Sequence, residues 1–177
     1  MYTLKSLNQH INERYNQSVW RNTNHKWLYE LLRKKRIRPE QGRFISFSLT
    51  EDSGGQDDFG GTRIKFNRSE LDKQGLIEIY YEPDFFEEHP EVSLYVTGFK
   101  NEQDYYEQLG YDSPEEANAN HELTWEQYIE GYAVEEELVL KQLRFNDNLI
   151  EEVLFIKDKP SNNILDLLKR NNVYYEK

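Results

Sequence analysis

The chain has 177 residues, of which 33 are Asp or Glu and 22 are Lys or Arg, giving a net charge of −11. This length is sufficient for one domain with a buried core, and an aromatic content of 14% argues against an intrinsically disordered chain. No cysteine is present, which excludes disulfides and thiol nucleophiles, and no apolar run approaches the roughly 20 residues of a membrane span. We therefore expect a cytoplasmic protein with no membrane partner and no bound metal.

Helical spacing and short alternating runs predict mixed helices and strands in the first 81 residues. Asn67 and Glu70 form a capping pattern that predicts a helical turn, and Pro39 limits the helix before it. In chain order the predicted elements are a helix over 4–15, a strand over 19–21, a helix around 27–32, a strand over 44–48, a glycine-rich loop over 52–61 and strands over 62–66 and 76–81.

The remaining sequence predicts helices followed by strands and a final helix. Ser113 and Pro114 form a helix start, and Ser161 caps the last helix. Further predicted elements are a helix around 123–129 and strands over 138–140, 143–145 and 153–156. Strands on both sides of an acidic helical stretch favour an α+β fold, which we expect to form a single domain over 1–177 with an acidic helical insertion at approximately 82–133.

Charge is distributed unevenly along the chain. Residues 1–48 contain ten Lys or Arg and three acids, whereas residues 82–137 contain seventeen acids and one basic residue, Lys100. The basic run over residues 33–38 is open to two interpretations, a contact with phosphates or the ordinary preference of cations for a helix C-terminus. The acidic stretch is likewise open to two interpretations, solubility or the binding of a basic partner protein.

Three motifs occur in an order that carries functional information. Arg21 closes a predicted strand, Ser46 and Ser48 lie on one face of the next, and Glu135 and Glu137 precede an apolar strand. Together they resemble the arginine–serine–glutamate pattern of the ADP-ribosyltransferase-like family, over approximately residues 18–66 and 134–156. Asn22 stands where that family usually has glycine. The resemblance implies a split β-sheet core with flanking helices.

The resemblance also implies a chemistry, in which NAD is the substrate and ADP-ribose passes to a protein or nucleic-acid acceptor. Loss of nicotinamide leaves a positively charged ribose, which Glu137 would stabilise. Ser46, or Ser48 as the alternative, would hold the Glu137 carboxylate, and Arg21 would bind phosphate or ribose oxygens of NAD. Glu135 would orient or deprotonate the acceptor. The expected context is a toxin, a phage protein or a bacterial modifier.

A second function from another class is compatible with the same sequence. Dense carboxylates resemble the charge of nucleic-acid phosphates, so the acidic stretch over 82–137 would suit a non-enzymatic binding or inhibitor protein that engages a basic partner. The two functions are compatible with each other if a transferase-like scaffold displays the acidic insertion.

Overall fold

The computed structural model describes residues 18–39, 43–49, 60–120, 122–131 and 137–176. The chain divides into two compact units, the first formed by residues 1–77 and 137–177 and the second by residues 78–136. The second unit spans the acidic insertion expected at 82–133, and the proposal that all 177 residues act as one domain stays a prediction. None of the helices among the described residues has the length and apolar character that a membrane crossing requires.

A seven-stranded mixed sheet is the centre of the first unit, which confirms the α+β class. The strands of the chain are β1 (Ser18–Thr23), β2 (Arg36–Ile37), β3 (Ile45–Ser48), β4 (Thr62–Asn67), β5 (Ile77–Glu78), β6 (Glu137–Leu140), β7 (Leu143–Arg144), β8 (Ile150–Phe155) and β9 (Tyr175–Glu176). The order in the sheet is β5-β6-β3-β1-β4-β8-β9, and the pairings described for β1, β3, β4, β6 and β8 are antiparallel, while β9 runs parallel to β8. A two-stranded ribbon, β2 with β7, is separate from this sheet.

Three helices of the first unit begin at side-chain caps that the sequence provides. They are α1 (His25–Lys34), α2 (Arg68–Asp72) and α8 (Asn162–Arg170). Asn24, Asn67 and Ser161 each accept a hydrogen bond from the backbone N–H three residues later, which satisfies one of the donors a helix start leaves unpaired. The predicted caps at Asn67 and Ser161 are therefore confirmed.

One apolar core joins the sheet to α1 and α8. The buried face of α1 carries Leu28, Leu31 and Leu32, which pack with strand residues such as Ile64 and Phe66. Each fully buried Leu or Ile of this kind contributes about 2 kcal/mol relative to exposure. The first unit therefore provides a rigid support for the strands that carry the predicted site residues.

The second unit consists of helices around an aromatic core. The helices are α3 (Pro83–Glu88), α4 (Pro90–Thr97), α5 (Glu102–Leu109), α6 (Pro114–Ala119) and α7 (Trp125–Glu130). Trp125 is 1% exposed and stacks on Tyr128, whose hydroxyl donates a hydrogen bond to the Thr97 carbonyl at 3.1 Å. The Tyr105 hydroxyl donates to the Leu123 carbonyl at 3.0 Å. Because the aromatic rings pack together and the tyrosine hydroxyl groups also donate hydrogen bonds to backbone carbonyls, this short, acidic stretch can form a core.

The structure differs from the predicted elements at a few places. The strand predicted over 76–81 is only β5, because the chain turns at Tyr80, whose carbonyl accepts from the Glu82 N–H, and Pro83 then starts α3. α1 ends at Lys34, before Pro39, because Lys35 takes a left-handed conformation with φ of 59°. The short strands β2 and β9 were not predicted. The helix predicted over 4–15 and residues 52–59 of the predicted loop lie outside the described residues.

Candidate functional site

The Arg21 side chain lies between two strands and a helix. Its position in β1 directs it toward α1, where its guanidinium carbon lies 4.9 Å from the centre of the Trp27 ring. Arg21 Nη1 donates a hydrogen bond to the Ser46 carbonyl at 2.6 Å and lies 3.4 Å from the Ser46 hydroxyl. A charged donor and a stacked ring hold this guanidinium in one orientation.

The register of the sheet explains why a side chain can reach the Ser46 carbonyl. β1 pairs with β4 over six positions from Ser18 to Thr23, whereas the described register of β1 against β3 is Trp20 opposite Ser48. Arg21 follows Trp20 in β1, next to this pair, so its side chain is close enough to the neighbouring strand to link β1 to the Ser46 carbonyl of β3.

The strand that begins at Glu137 lies on the other side of β3. Glu137 is paired with Ser48, and Val139 with Ser46, so Trp20, Ser48 and Glu137 occupy one row across three neighbouring strands. These pairings define the position of the Glu137 backbone. Ser48, which was the alternative to Ser46, is therefore the serine directly opposite Glu137. Glu135 lies outside the described residues.

Two features of this region were missed by sequence reasoning. Trp27 lies in the helix predicted around 27–32, and the sequence pattern did not indicate that its ring supports the Arg21 guanidinium. Asn22 is 8% exposed and accepts a hydrogen bond from Arg63 Nε at 3.1 Å, across the β1–β4 pair. The strand alternation places Asn22 and Arg63 on one face only once the register is known, so no local signal in the sequence identifies this pair.

A separate cavity of about 550 Å³ lies in the first unit where β8 ends and α8 begins. Its walls come from residues 155–165, including Phe155, Lys157 and Leu165, and do not include the predicted site residues. Among the described residues, no group of three or more His, Asp or Glu side chains is placed to hold a metal ion.

Carboxylates dominate the surface of the second unit. Of the described acids in residues 78–131, all except Glu78 and Asp104 are exposed. Although Glu102 is exposed, partial desolvation by the surrounding chain raises its pKa, and the nearby carboxylates of Glu87 and Glu126 raise it further. Like charges are thus close enough to interact unfavourably on this surface.

Comparison with known proteins identified no relative of this chain. No protein-family model matches the chain, and no curated protein or solved structure matches it either.

Proposed function

We propose that the first unit is an ADP-ribosyltransferase-like NAD-binding module that transfers ADP-ribose to a macromolecular acceptor. The observation that carries this proposal is the adjacency of β6, β3 and β1, the strands that bear Glu137, the two serines and Arg21. These residues lie up to 116 positions apart in the sequence (21 to 137), and the family pattern requires their strands to meet. The bond between Arg21 and Ser46 gives further support.

The chemistry assigns a role to each residue. The bond between the ribose C1′ and the nicotinamide nitrogen breaks, and its electron pair leaves with nicotinamide. Glu137 stabilises the positive charge that develops on the ribose, because a carboxylate lowers the energy of such a transition state. The acceptor nucleophile then bonds to C1′, and its proton passes to Glu135. Arg21 contributes by binding NAD oxygens and by holding the β3 backbone at Ser46.

Removal of the Glu137 carboxylate tests this proposal. We expect NAD to raise the melting temperature of the full chain, and Glu137→Gln to lower nicotinamide release by about 100-fold or more, since it removes a transition-state contact. Chromatography of released nicotinamide measures this effect. Glu130→Gln, at an exposed position of α7, is the matched control and should retain the wild-type rate. Absence of both NAD binding and nicotinamide release in the wild-type chain contradicts the proposal.

A second candidate function is the binding of a basic partner by the second unit. The exposed position of nearly all its described carboxylates, around an interior of aromatic rings, favours this function. We expect immobilised full-length protein to retain a basic protein such as histone H1 at low salt. Replacement of the exposed Glu residues in 102–130 by Gln should abolish retention, and equal retention by that variant contradicts this candidate.

A further inference from the structure

The ribbon formed by β2 and β7 brings together basic side chains from distant parts of the sequence. Arg36 is paired with Arg144, and both are exposed. The neighbouring pair is Ile37 with Leu143, of which Leu143 is fully buried in the core. Leu143 therefore anchors one face of the ribbon in the core, and the other face presents the guanidinium groups of Arg36 and Arg144 side by side.

Further basic residues surround this pair. Arg38 Nε donates a hydrogen bond to Gln142 Oε1 at 3.3 Å, which holds it beside the ribbon. Lys35 donates to Asn171 Oδ1, and its Nζ lies 4.4 Å from the centre of the Phe145 ring. We use the name basic surface for the set Lys34, Lys35, Arg36, Arg38, Lys141 and Arg144, all of which are exposed.

Two carboxylates of the first unit, Glu30 and Glu70, bind lysines and not the two arginines of the ribbon; one of these lysines, Lys34, belongs to the basic surface. Glu30 contacts Lys34 and lies 3.7 Å from Arg33, and the hydrogen bond from Lys34 lowers the pKa of Glu30. Glu70 binds Lys73 at 2.6 Å, and this hydrogen bond lowers the pKa of Glu70. Neither carboxylate is hydrogen-bonded to Arg36 or Arg144 among the described contacts.

The preference of cations for helix C-termini explains the positions of only some of these basic residues. Arg33 and Lys34 lie in the last turn of α1, and Lys169 and Arg170 in the last turn of α8, where cations are favoured. Arg36, Arg38 and Arg144 lie beyond the helices. Two like charges directly opposite each other destabilise a strand pair, so the Arg36–Arg144 arrangement has a cost to folding that an anionic ligand would remove.

We propose that the basic surface binds the phosphate backbone of a nucleic acid. Protein–DNA interfaces are polar and strongly positive, whereas protein–protein interfaces have an apolar centre. None of the exposed large apolar side chains of the described residues belongs to β2 or β7; they are Tyr80, Leu94, Leu109, Leu123, Ile156 and Tyr174. Guanidinium groups match phosphate oxygens in bidentate geometry, and contacts of this kind do not depend on base sequence. This proposal does not depend on the transferase function.

Salt-dependent binding of labelled nucleic acid to the full chain tests the basic surface. The probes are a 20-nucleotide single-stranded RNA and an RNA duplex of the same length, measured by fluorescence anisotropy without NAD. We expect the logarithm of the binding constant to fall linearly with the logarithm of salt concentration. Arg36→Gln with Arg144→Gln should weaken binding about tenfold or more and reduce the salt slope by about 2, since each lost phosphate contact removes about 1.

Matched variants separate the basic surface from general charge and from misfolding. Lys157→Gln with Lys159→Gln removes the same charge from the loop after β8 and should leave binding within about twofold of wild type. Arg36→Lys with Arg144→Lys keeps the charge, so the salt slope should stay at its wild-type value, while the loss of bidentate contacts should weaken binding less than the glutamine pair does. Equal weakening in the Lys157/Lys159 variant, or no binding of either probe at about 20 mM salt, overturns the proposal. Low-salt self-association that the arginine variant abolishes, without RNA binding, overturns it in favour of an acidic protein partner.

Discussion

Among the glycines that the structure describes, Gly60, just before β4, has the closest approach of other backbone atoms. Its φ is +147°, a conformation that side chains rarely adopt, and a Cβ built there would overlap the Thr23 carbonyl and lie 2.6 Å from the Asn24 nitrogen. Thr23 ends β1 and Asn24 caps α1. Gly60 therefore fixes the distance between the start of α1 and the start of β4.

Substitution of Gly60 should be far more costly than substitution of another glycine with positive φ. Gly60→Ala combines backbone strain with overlap against main-chain atoms that cannot rotate away, so we expect a loss of about 3 kcal/mol in the free energy of unfolding. Gly75→Ala, at φ of +88° with no atom within 4 Å of the added Cβ, should lose about 1 kcal/mol. Urea denaturation measures both values, and similar losses would contradict the overlap.

Arg21 shows what can be inferred about a residue from the sequence alone. Its place in a strand and the chemistry of its guanidinium were predictable from local pattern and residue type, although β1 continues to Thr23 and does not close at Arg21. Its acceptor, the main-chain carbonyl of Ser46, and its platform, Trp27, were not. Both depend on how β3 pairs with β1 and on how α1 packs, which are tertiary features.

Elements with strong local signals were predicted best. The helices that begin at Ser113 and Ser161, and the alternating strand β4, are found close to the expected positions because caps and period-two burial act within a few residues. The two-residue strands β2 and β9 were missed, since pairing with a distant partner creates them. β2 exists because Arg36 and Ile37 meet Arg144 and Leu143, more than 100 residues further along the chain.

The order of strands in the sheet has the same origin. The sequence predicted that Arg21, the serines and Glu137 lie on or beside strands, and the pairings place β3 between β1 and β6. Which serine lies opposite Glu137 could not be predicted, because Ser46 and Ser48 share one face of β3 and a shift of two residues in register exchanges them. The described register selects Ser48 as the direct neighbour of Glu137.

On the scale of a whole compact unit, repulsion among carboxylates should give the second unit a distinct pH dependence. Partial desolvation and the Glu87 and Glu126 carboxylates raise the pKa of Glu102 in the folded chain. A carboxyl with a raised folded pKa binds protons more readily when folded, so its contribution to stability is present at low pH and is lost as pH rises through that pKa. Glu102 lies in the first turn of α5, which favours a negative charge, but the raised pKa indicates that the opposing effects are larger.

Neutralisation of Glu102 should therefore stabilise the protein at neutral pH. We expect Glu102→Gln to raise the melting temperature at about pH 7.5, and this difference to disappear as pH falls to about 4, where the wild-type carboxyl is protonated. Thermal scans by circular dichroism at several pH values measure the effect. Glu122→Gln, at an exposed position outside the helices, is the control and should change the melting temperature little at either pH. A gain for Glu102→Gln that persists undiminished at low pH contradicts this explanation.

The segregation of charge between the two units has a consequence for how the protein behaves in bulk solution. Residues 78–136 contain 17 acids and one lysine, for a charge of −16, whereas the rest of the chain contains 21 Lys or Arg and 16 acids, for a charge of +5. The isoelectric point of the whole chain, about 4.9, therefore results from one strongly acidic region and one basic region, and not from a charge spread evenly along the chain. At low ionic strength such a polypeptide should adhere both to anion-exchange and to cation-exchange resins, and salt should release it from either.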